Sequence, residues 1–268
     1  MIAAPQRDFR LTEKLMTATA SAPALKDVFR EGWSNALRVD NWTNRVTCGE
    51  FEDAACRCAW ADALRKAAGE PRGGAALDVG TGPGTIAQLW AELGWKVTGV
   101  DFSPTMIAAG QRLATVRKLD IAFVEGDAES PPLPGAQFGV ISSRLVLFTL
   151  PHPGQAVYRW ARLLKPGGRM VLIGEEPPAN ADKQPPPPSD NKPRSGWQPD
   201  EQYRAALAQL PFMRHTADVL SVVMEAAGLQ HVRRIPMDGV IAARVALHAR
   251  DAAKKVFAST PYIMVGDV

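Results

Sequence analysis

Residues 77–85 read LDVGTGPGT and place Gly80, Gly82 and Gly84 within five positions. An apolar run precedes them, and the segment that follows, IAQLWAELG, predicts a helix. Glycine permits positive φ and lets a ligand approach the backbone closely. A strand, a glycine turn and a helix form the layout that binds nucleotide-like ligands at the carboxyl end of a parallel sheet. The loop taken alone also fits an ordinary tight turn between a strand and a helix.

The loop differs from two other glycine-rich motifs. Its spacing is G-x-G-x-G, whereas dinucleotide-binding folds use G-x-G-x-x-G. It also lacks the Lys-Ser/Thr ending of a phosphate-binding P-loop. The spacing therefore argues against a nicotinamide-dependent oxidoreductase.

Short apolar runs continue outward from the loop and alternate with helical patterns. In chain order they are AALDV, WKVTGV, DIAFV, FGVIS and RMVLIG. This alternation predicts an α/β fold with a parallel sheet that is covered on both faces. The carboxyl-terminal PYIMVGDV predicts a last strand.

Changes in the pattern of apolar, helical and proline-rich stretches divide the chain into four regions. Residues 1–70 predict a helical region that covers the substrate and cofactor, and 71–176 predict the cofactor-binding core. Residues 177–215 predict a proline-rich loop and cap insertion, since four consecutive prolines at 185–188 force an extended path. Residues 216–268 predict the carboxyl-terminal part of the core.

Composition favours a soluble cytoplasmic protein. The formal net charge of +3 is dispersed, which disfavours a large nucleic-acid footprint. No apolar stretch approaches the roughly 20 residues that span a bilayer, and the amino terminus does not resemble a secretory signal. Of the three cysteines, Cys56 and Cys58 lie two apart in a predicted helix and point to opposite sides, so with Cys48 they predict free thiols and no metal site.

Three carboxylates follow three consecutive predicted strands. Asp78 lies in the strand before the glycines, Asp101 ends the next strand, and Asp127 ends the one after. A carboxylate can accept from both hydroxyls of a ribose, which suits Asp101. Asp127 is placed where an exocyclic adenine amine could donate to it. Three acids at one sheet edge predict a nucleoside-binding site.

The chain resembles the class I S-adenosylmethionine-dependent methyltransferases in five stretches that occur in the order of that family. They are ALDVGTGPGT, VTGVDFSPTMI, FVEGDAESPPLP, FGVISSRLVLFTLPHP and RLLKPGGRMVLI. The similarity is greatest to the broad small-molecule "type 11" subgroup. The resemblance implies a Rossmann-like, mostly parallel seven-stranded sheet whose last strand is antiparallel. It implies S-adenosyl-L-methionine as the cofactor.

The resemblance also implies roles for individual residues. The methionine part of the cofactor is expected against Asp78, Gly80, Gly82 and Gly84. The ribose is expected at Asp101, and the adenine between Phe102 and Met106, with its amine at Asp127 and the Ala128 backbone. Ser143 and Arg144 are expected near the sulfonium.

The sequence departs from the subgroup at two positions. Gly139 stands where the family usually has an acid before the fourth strand, and Leu145 stands where relatives have a histidine. A leucine there predicts a more apolar pocket. Candidate acceptor contacts are Arg144, Trp197, Tyr203, Arg214 and His215.

No catalytic residue is predicted by the motifs themselves, since a sulfonium already activates its methyl group. A general base is needed only for a protonated nucleophile, and the candidates are His152, Tyr203 and His215. The expected activity is in-line methyl transfer to N or O of a small molecule. A non-catalytic or regulatory cofactor-binding module and an RNA methyltransferase remain open as alternatives.

Overall fold

The structure, a computed structural model, describes residues 22–47, 49–71, 73–176, 198–212, 216–251 and 259–268. Its helices are α1 (Ala22–Ser34), α2 (Ala36–Thr47), α3 (Ala54–Ala68), α4 (Thr85–Glu92), α5 (Pro104–Arg117), α6 (Pro153–Leu163), α7 (Glu201–Ala208), α8 (Ala217–Ala226) and α9 (Asp238–Arg250). Its strands are β1 (Ala75–Val79), β2 (Lys96–Asp101), β3 (Ile121–Glu125), β4 (Phe138–Arg144), β5 (Leu164–Glu176), β6 (Gln230–Ile235) and β7 (Thr260–Asp267). A 3₁₀ turn, Leu147–Thr149, follows β4.

These strands form one seven-stranded sheet in the order β3-β2-β1-β4-β5-β7-β6. Strands β1 to β5 pair in parallel, and β7 runs antiparallel to both of its neighbours. The chain moves outward from β1 to β3 and then crosses back to β4, which lies on the other side of β1. Ligands bind at such a switch point, outside the carboxyl ends of the strands. The predicted α/β class I methyltransferase fold is confirmed.

Side chains alternate across the sheet and build a core on each face. Leu77 and Val79 of β1 join a buried cluster with Trp160 of α6. Ala76, which precedes Leu77, joins the opposite cluster with Trp60 and Trp90. The central strands are therefore buried on both sides, which explains why they read as continuous apolar runs.

Two amino-terminal helices lie beside one end of the sheet. Helices α1 and α2 pack against α5, which connects β2 to β3, and α1 also packs against α7. Phe29 and Tyr203 meet edge to face in this contact, with ring centroids 5.2 Å apart. The helices thus cover the β2 and β3 side of the switch point.

Several sequence predictions fall outside the described residues: the proline-rich stretch 177–197, Cys48, Trp197, Arg214 and His215. Cys56 is buried and Cys58 is exposed, as their spacing predicted. Within the described ranges, no group of three or more histidine, cysteine or acidic side chains is arranged so that it could hold a metal ion. None of the described helices is long and apolar enough to cross a membrane.

Candidate functional site

The glycine loop after β1 needs its glycines for conformation and for space. Gly80, Gly82 and Gly84 have φ of 66°, 55° and 79°, which L side chains rarely adopt. A Cβ on Gly80 would lie 2.2 Å from Val146 Cγ2, whereas one on Gly82 would meet nothing closer than 3.9 Å. Gly80 therefore lets the segment after β4 approach β1, and Gly82 keeps the loop open toward the cleft. Gly84 sits at the N-cap of α4.

Asp78 is buried beside this loop and accepts hydrogen bonds from both neighbouring elements. Thr81 Oγ1 donates to one carboxylate oxygen at 2.8 Å, and Ser142 Oγ of β4 donates to the other at 2.6 Å. Burial raises the pKa of Asp78 to about 6, although these hydrogen bonds oppose the rise. Desolvation of the charged form outweighs the hydrogen bonds here.

Asp101 closes β2 opposite the loop. The backbone N–H of Gly82 donates to its Oδ2 at 2.9 Å, and that of Ser103 donates to its Oδ1 at 2.9 Å. Burial raises the pKa of Asp101 to about 6. A carboxylate offers about four acceptor positions, so these hydrogen bonds leave capacity for a ligand.

The third predicted acid, Asp127, follows β3 by two residues and is not part of that strand. Lys26 of α1 pairs with it at 2.7 Å and with Glu129 at 2.6 Å. The Glu129 side chain is only 5% exposed, and its carboxylate also accepts from the backbone N–H of His152. One lysine thus ties the amino-terminal helix to the loop after β3.

These residues open onto one cleft of about 940 Å³, part of it open to solvent. The predicted cofactor residues that line it are Asp78, Gly80, Gly82, Asp101, Phe102, Met106, Asp127 and Ala128. The helices α1 and α2 add Lys26, Phe29, Trp33 and Trp42. Another wall consists of the last residue of β4 and the segment that follows it, namely Arg144, Leu145, Val146, Thr149, Leu150 and Pro151.

Other predicted site residues lie behind this lining. Ser143 Oγ donates to the Val79 carbonyl oxygen at 3.0 Å, which links β4 to β1. Tyr203 is buried among the helices, with the Arg38 guanidinium 4.6 Å from its ring centroid. His152 is the N-cap residue directly before α6, and its Nδ1 lies 3.2 Å from Glu129 Oε2. The structure gives none of these three a surface on the cleft.

Arg144 lines the cleft, but its guanidinium belongs to a buried ion cluster. The cluster contains Arg144, Glu175 of β5, Arg244 of α9 and Glu50 from the segment before α3. Arg144 Nη2 lies 3.3 Å from Glu175 Oε1 and 3.9 Å from Glu50 Oε1. Arg244 pairs with both glutamates, at 2.8 Å for Glu175. Two positive and two negative charges balance within one cluster.

Sequence reasoning missed Lys26 and the segment 146–151. The sequence around an isolated lysine in a helix does not indicate a ligand. Lys26 reaches the cleft because the fold brings it to Asp127, which is 101 positions away in the chain. Leu145 was identified as a departure, but not its φ of 58°, which is uncommon for a residue other than glycine. Its N–H donates to the Ile173 carbonyl at 3.2 Å, so pairing with β5 holds this conformation.

Comparison with known proteins agrees with this geometry. Residues 77–172, from β1 to the middle of β5, match the family described as a methyltransferase domain. This stretch is a class I methyltransferase domain. Over this stretch the predicted resemblance is confirmed, together with S-adenosylmethionine as the cofactor that such a domain uses.

Two curated relatives show how far the similarity extends. The chain is 35% identical over 104 residues to a demethylmenaquinone methyltransferase of Thermus thermophilus, covering 38% of this chain and 47% of that protein. It is 35% identical over 112 residues to a malonyl-[acyl-carrier protein] O-methyltransferase of Enterobacter lignolyticus, covering 42% and 43%. The chain thus matches less than half the length of either relative.

A solved structure shares the fold of the methyltransferase domain over a wider range. Phosphoethanolamine N-methyltransferase 2 of Haemonchus contortus, in complex with S-adenosyl-L-methionine, aligns over 77% of this chain and 51% of its own. The TM-score is 0.53 and the sequence identity 16%.

Proposed function

We propose that this protein is an S-adenosylmethionine-dependent methyltransferase that transfers a methyl group to N or O of a small molecule. The observation that carries the proposal is the pair of buried carboxylates, Asp78 and Asp101, on either side of a loop of three positive-φ glycines. Burial raises the pKa of both carboxylates in spite of their hydrogen bonds within the protein, so a ligand that donates to them would offset part of the cost of burial. The match of this stretch to the methyltransferase domain supports the same conclusion.

The residues at the switch point fit the cofactor. Gly82 leaves backbone open to the cleft, where a side chain would narrow it. Asp101 keeps acceptor capacity for a ribose hydroxyl. Phe102 and Met106 line the same side of the cleft and supply apolar contact for a flat base. Asp127 lines the same cleft, and its Oδ2 accepts a hydrogen bond from Lys26 Nζ.

When bound, S-adenosylmethionine supplies a methyl group that its sulfonium already activates. The protein's own task is then to hold the acceptor in line and to keep water out, and such positioning can contribute about 7–11 kcal/mol. Within the described ranges, His152 and Tyr203 lie outside the cleft lining, so neither is placed to take a proton from the acceptor. An acceptor that ionises by itself needs no such base.

The oxygen half of the proposal is supported by the relative that is named an O-methyltransferase. The nitrogen half rests on the frequency of such enzymes in the family. Both relatives carry names that refer to small or carrier-bound molecules rather than RNA. An RNA methyltransferase would show RNA binding that weakens steeply with salt.

Calorimetric titration with S-adenosylmethionine, S-adenosylhomocysteine and NAD tests the cofactor. We expect the first two to bind and NAD not to bind. Asp101→Ala should weaken both by about tenfold or more, since a hydrogen bond to a charged group contributes about 1.5–3 kcal/mol. Asp120→Ala is the matched control, because Asp120 is an exposed aspartate just before β3.

Unchanged affinity in Asp101→Ala would contradict the assigned ribose site. Binding of the cofactor without methyl transfer to any acceptor would favour the non-catalytic alternative. Mass spectrometry of a methylated product would identify the accepting atom.

A further inference from the structure

The wall of the cleft formed after β4 differs chemically from the cofactor side. Four of its six residues are aliphatic: Leu145, Val146, Leu150 and Pro151. The other two, Arg144 and Thr149, carry polar groups. In the proposed function this wall faces the acceptor, because the glycines and carboxylates of β1 and β2 hold the cofactor. The inference below rests on that proposed function.

The polar groups of this wall already have partners within the protein. Thr149 Oγ1 donates to the Val146 carbonyl oxygen at 2.7 Å. Arg144 lies among Glu175, Glu50 and Arg244, in the buried ion cluster whose two positive and two negative charges cancel. The Arg144 guanidinium also lies 5.3 Å from the Phe51 ring centroid, which fixes it further. Its charge is compensated before any acceptor arrives.

Lys26 is the other cation that lines the described cleft, and its charge is compensated by two carboxylates. It pairs with Asp127 and Glu129 beside the expected adenine position. An anionic acceptor near Leu145 would therefore lose its hydration without gaining an uncompensated cation from the described residues that line the cleft. A cationic acceptor would meet the compensated Arg144. Burial of an unpaired charge is strongly unfavourable.

We propose that the wall Arg144–Pro151 binds an uncharged, hydrocarbon-rich acceptor, held by apolar contact with Leu145, Val146 and Leu150. Specificity then comes from exclusion of charged molecules rather than from a matching charge. Leu145 contributes most directly, because it is half-buried at the cleft surface while Leu150 is fully buried.

Three probes of one shape and different charge test this proposal. Naphthol is uncharged at neutral pH, hydroxynaphthoate is its anionic analogue and the aminomethyl naphthol is its cationic analogue. Each is titrated into protein saturated with S-adenosylhomocysteine, and tryptophan fluorescence reports binding. We expect naphthol to bind at least tenfold more tightly than either charged analogue. Equal or tighter binding of a charged analogue, or no binding of naphthol, would overturn the proposal.

A charge introduced into the wall should invert the ranking. Leu145→Lys should weaken naphthol at least fivefold and strengthen hydroxynaphthoate. The matched control is Leu37→Lys in α2, because Leu37 is 61% exposed and does not line the cleft. We expect Leu37→Lys to leave both affinities unchanged. An unaltered ranking in Leu145→Lys would contradict the assignment of this wall to the acceptor.

The S-adenosylhomocysteine titration separates the two levels of inference. If Leu145→Lys keeps that affinity but changes the probes, the wall is distinct from the cofactor site, as proposed. If wild-type protein fails to bind S-adenosylhomocysteine and S-adenosylmethionine, the proposed function itself fails. If both bind but the probes rank by charge in the other order, only the acceptor class is wrong.

Discussion

The two sides of the cleft use polar groups in opposite ways. On the β1 and β2 side, Asp78 and Asp101 are buried carboxylates that retain acceptor positions toward the cleft. On the β4 side, the charges of Arg144 are balanced within the protein and aliphatic side chains form the surface. A binding surface can therefore be recognised by whether its buried polar groups have capacity left over, rather than by how many it contains.

The largest effect is expected from filling the space between the two sides. Gly80→Ala combines an unfavourable positive φ with a Cβ only 2.2 Å from Val146 Cγ2. We expect a loss of about 3 kcal/mol or more in the free energy of unfolding, the range of severe packing and strain defects. Cofactor binding should fall below detection. Urea unfolding and calorimetry measure the two effects.

Gly69→Ala is the matched control for this change. Gly69 has a φ of 77°, but a Cβ there would meet nothing within 4 Å. It should lose only about 1–2 kcal/mol for the left-handed conformation and keep full cofactor affinity. Equal losses in the two variants would show that conformation alone, and not the contact with Val146, fixes the loop.

The next largest effect is expected in the ion cluster behind the β4 wall. Glu50→Gln removes one negative charge and leaves Arg144 and Arg244 with an excess positive charge, which should cost about 3 kcal/mol of stability. Affinity for S-adenosylhomocysteine should change little, since the Asp101 carboxylate takes its hydrogen bonds from Gly82 and Ser103 and not from the cluster. Urea midpoints measure the loss, with Glu52→Gln as the control because Glu52 is partly exposed. A cofactor-affinity loss as large as the stability loss would show that the two sides are coupled.

The carboxylate side should respond to pH in two opposite directions. Burial raises the pKa of Asp78 and Asp101 from 3.8 to about 6, so the folded protein binds more protons than the unfolded chain between those values. The free energy of unfolding of the ligand-free protein should therefore decrease as pH rises from about 4 to about 6.

Cofactor affinity should increase over the same range, because ribose hydroxyls donate to the ionised Asp101. At about pH 5 we expect binding about tenfold weaker than at about pH 7, which corresponds to one pKa unit. Calorimetry in matched buffers measures this, and Asp101→Asn should flatten the profile. A pH-independent affinity in the wild-type protein would argue that Asp101 is not the group contacted.

The smallest effect is expected where the amino-terminal helix meets the adenine end. Lys26→Met breaks a partly exposed pair with Asp127 and a pair with the buried Glu129, which keeps its hydrogen bond from the His152 backbone N–H, so we expect a loss of about 1 kcal/mol. Arg30→Met, on the same helix with an exposed partner, should lose almost nothing. Thermal unfolding with and without cofactor compares them. A loss no greater than that of Arg30→Met would show that Lys26 does not anchor the helix.

The sequence was sufficient for the sheet and for its ligand-binding edge. The runs at β1, β2 and β3 are apolar because a strand covered on both faces needs apolar residues on both sides. Helical patterns alternate with these runs in the sequence. Gly80 and Asp101 could be singled out from sequence because a glycine turn and an acid at the end of a strand are visible in short stretches of the chain. Thr216 likewise acts locally as the N-cap of α8, since its side chain accepts from Val219 N–H.

Residues whose roles depend on distant partners could not be placed in advance. Lys26 and Asp127 are 101 positions apart, and Arg244 and Glu50 are 194 apart. Arg144 looked like a free cation for an acceptor, but the fold surrounds it with two glutamates. Ser143 looked like a cofactor contact, but its hydroxyl donates to Val79.

The amino-acid sequence alone predicted the fold, the resemblance to methyltransferases and the acids that meet at one edge of the sheet, because periodicity, glycine conformation and strand-end acids are local properties of the chain. The tertiary structure decided which charges remain available in the cleft. Availability is set by compensation between side chains that only folding brings together, and a sequence pattern carries no record of it.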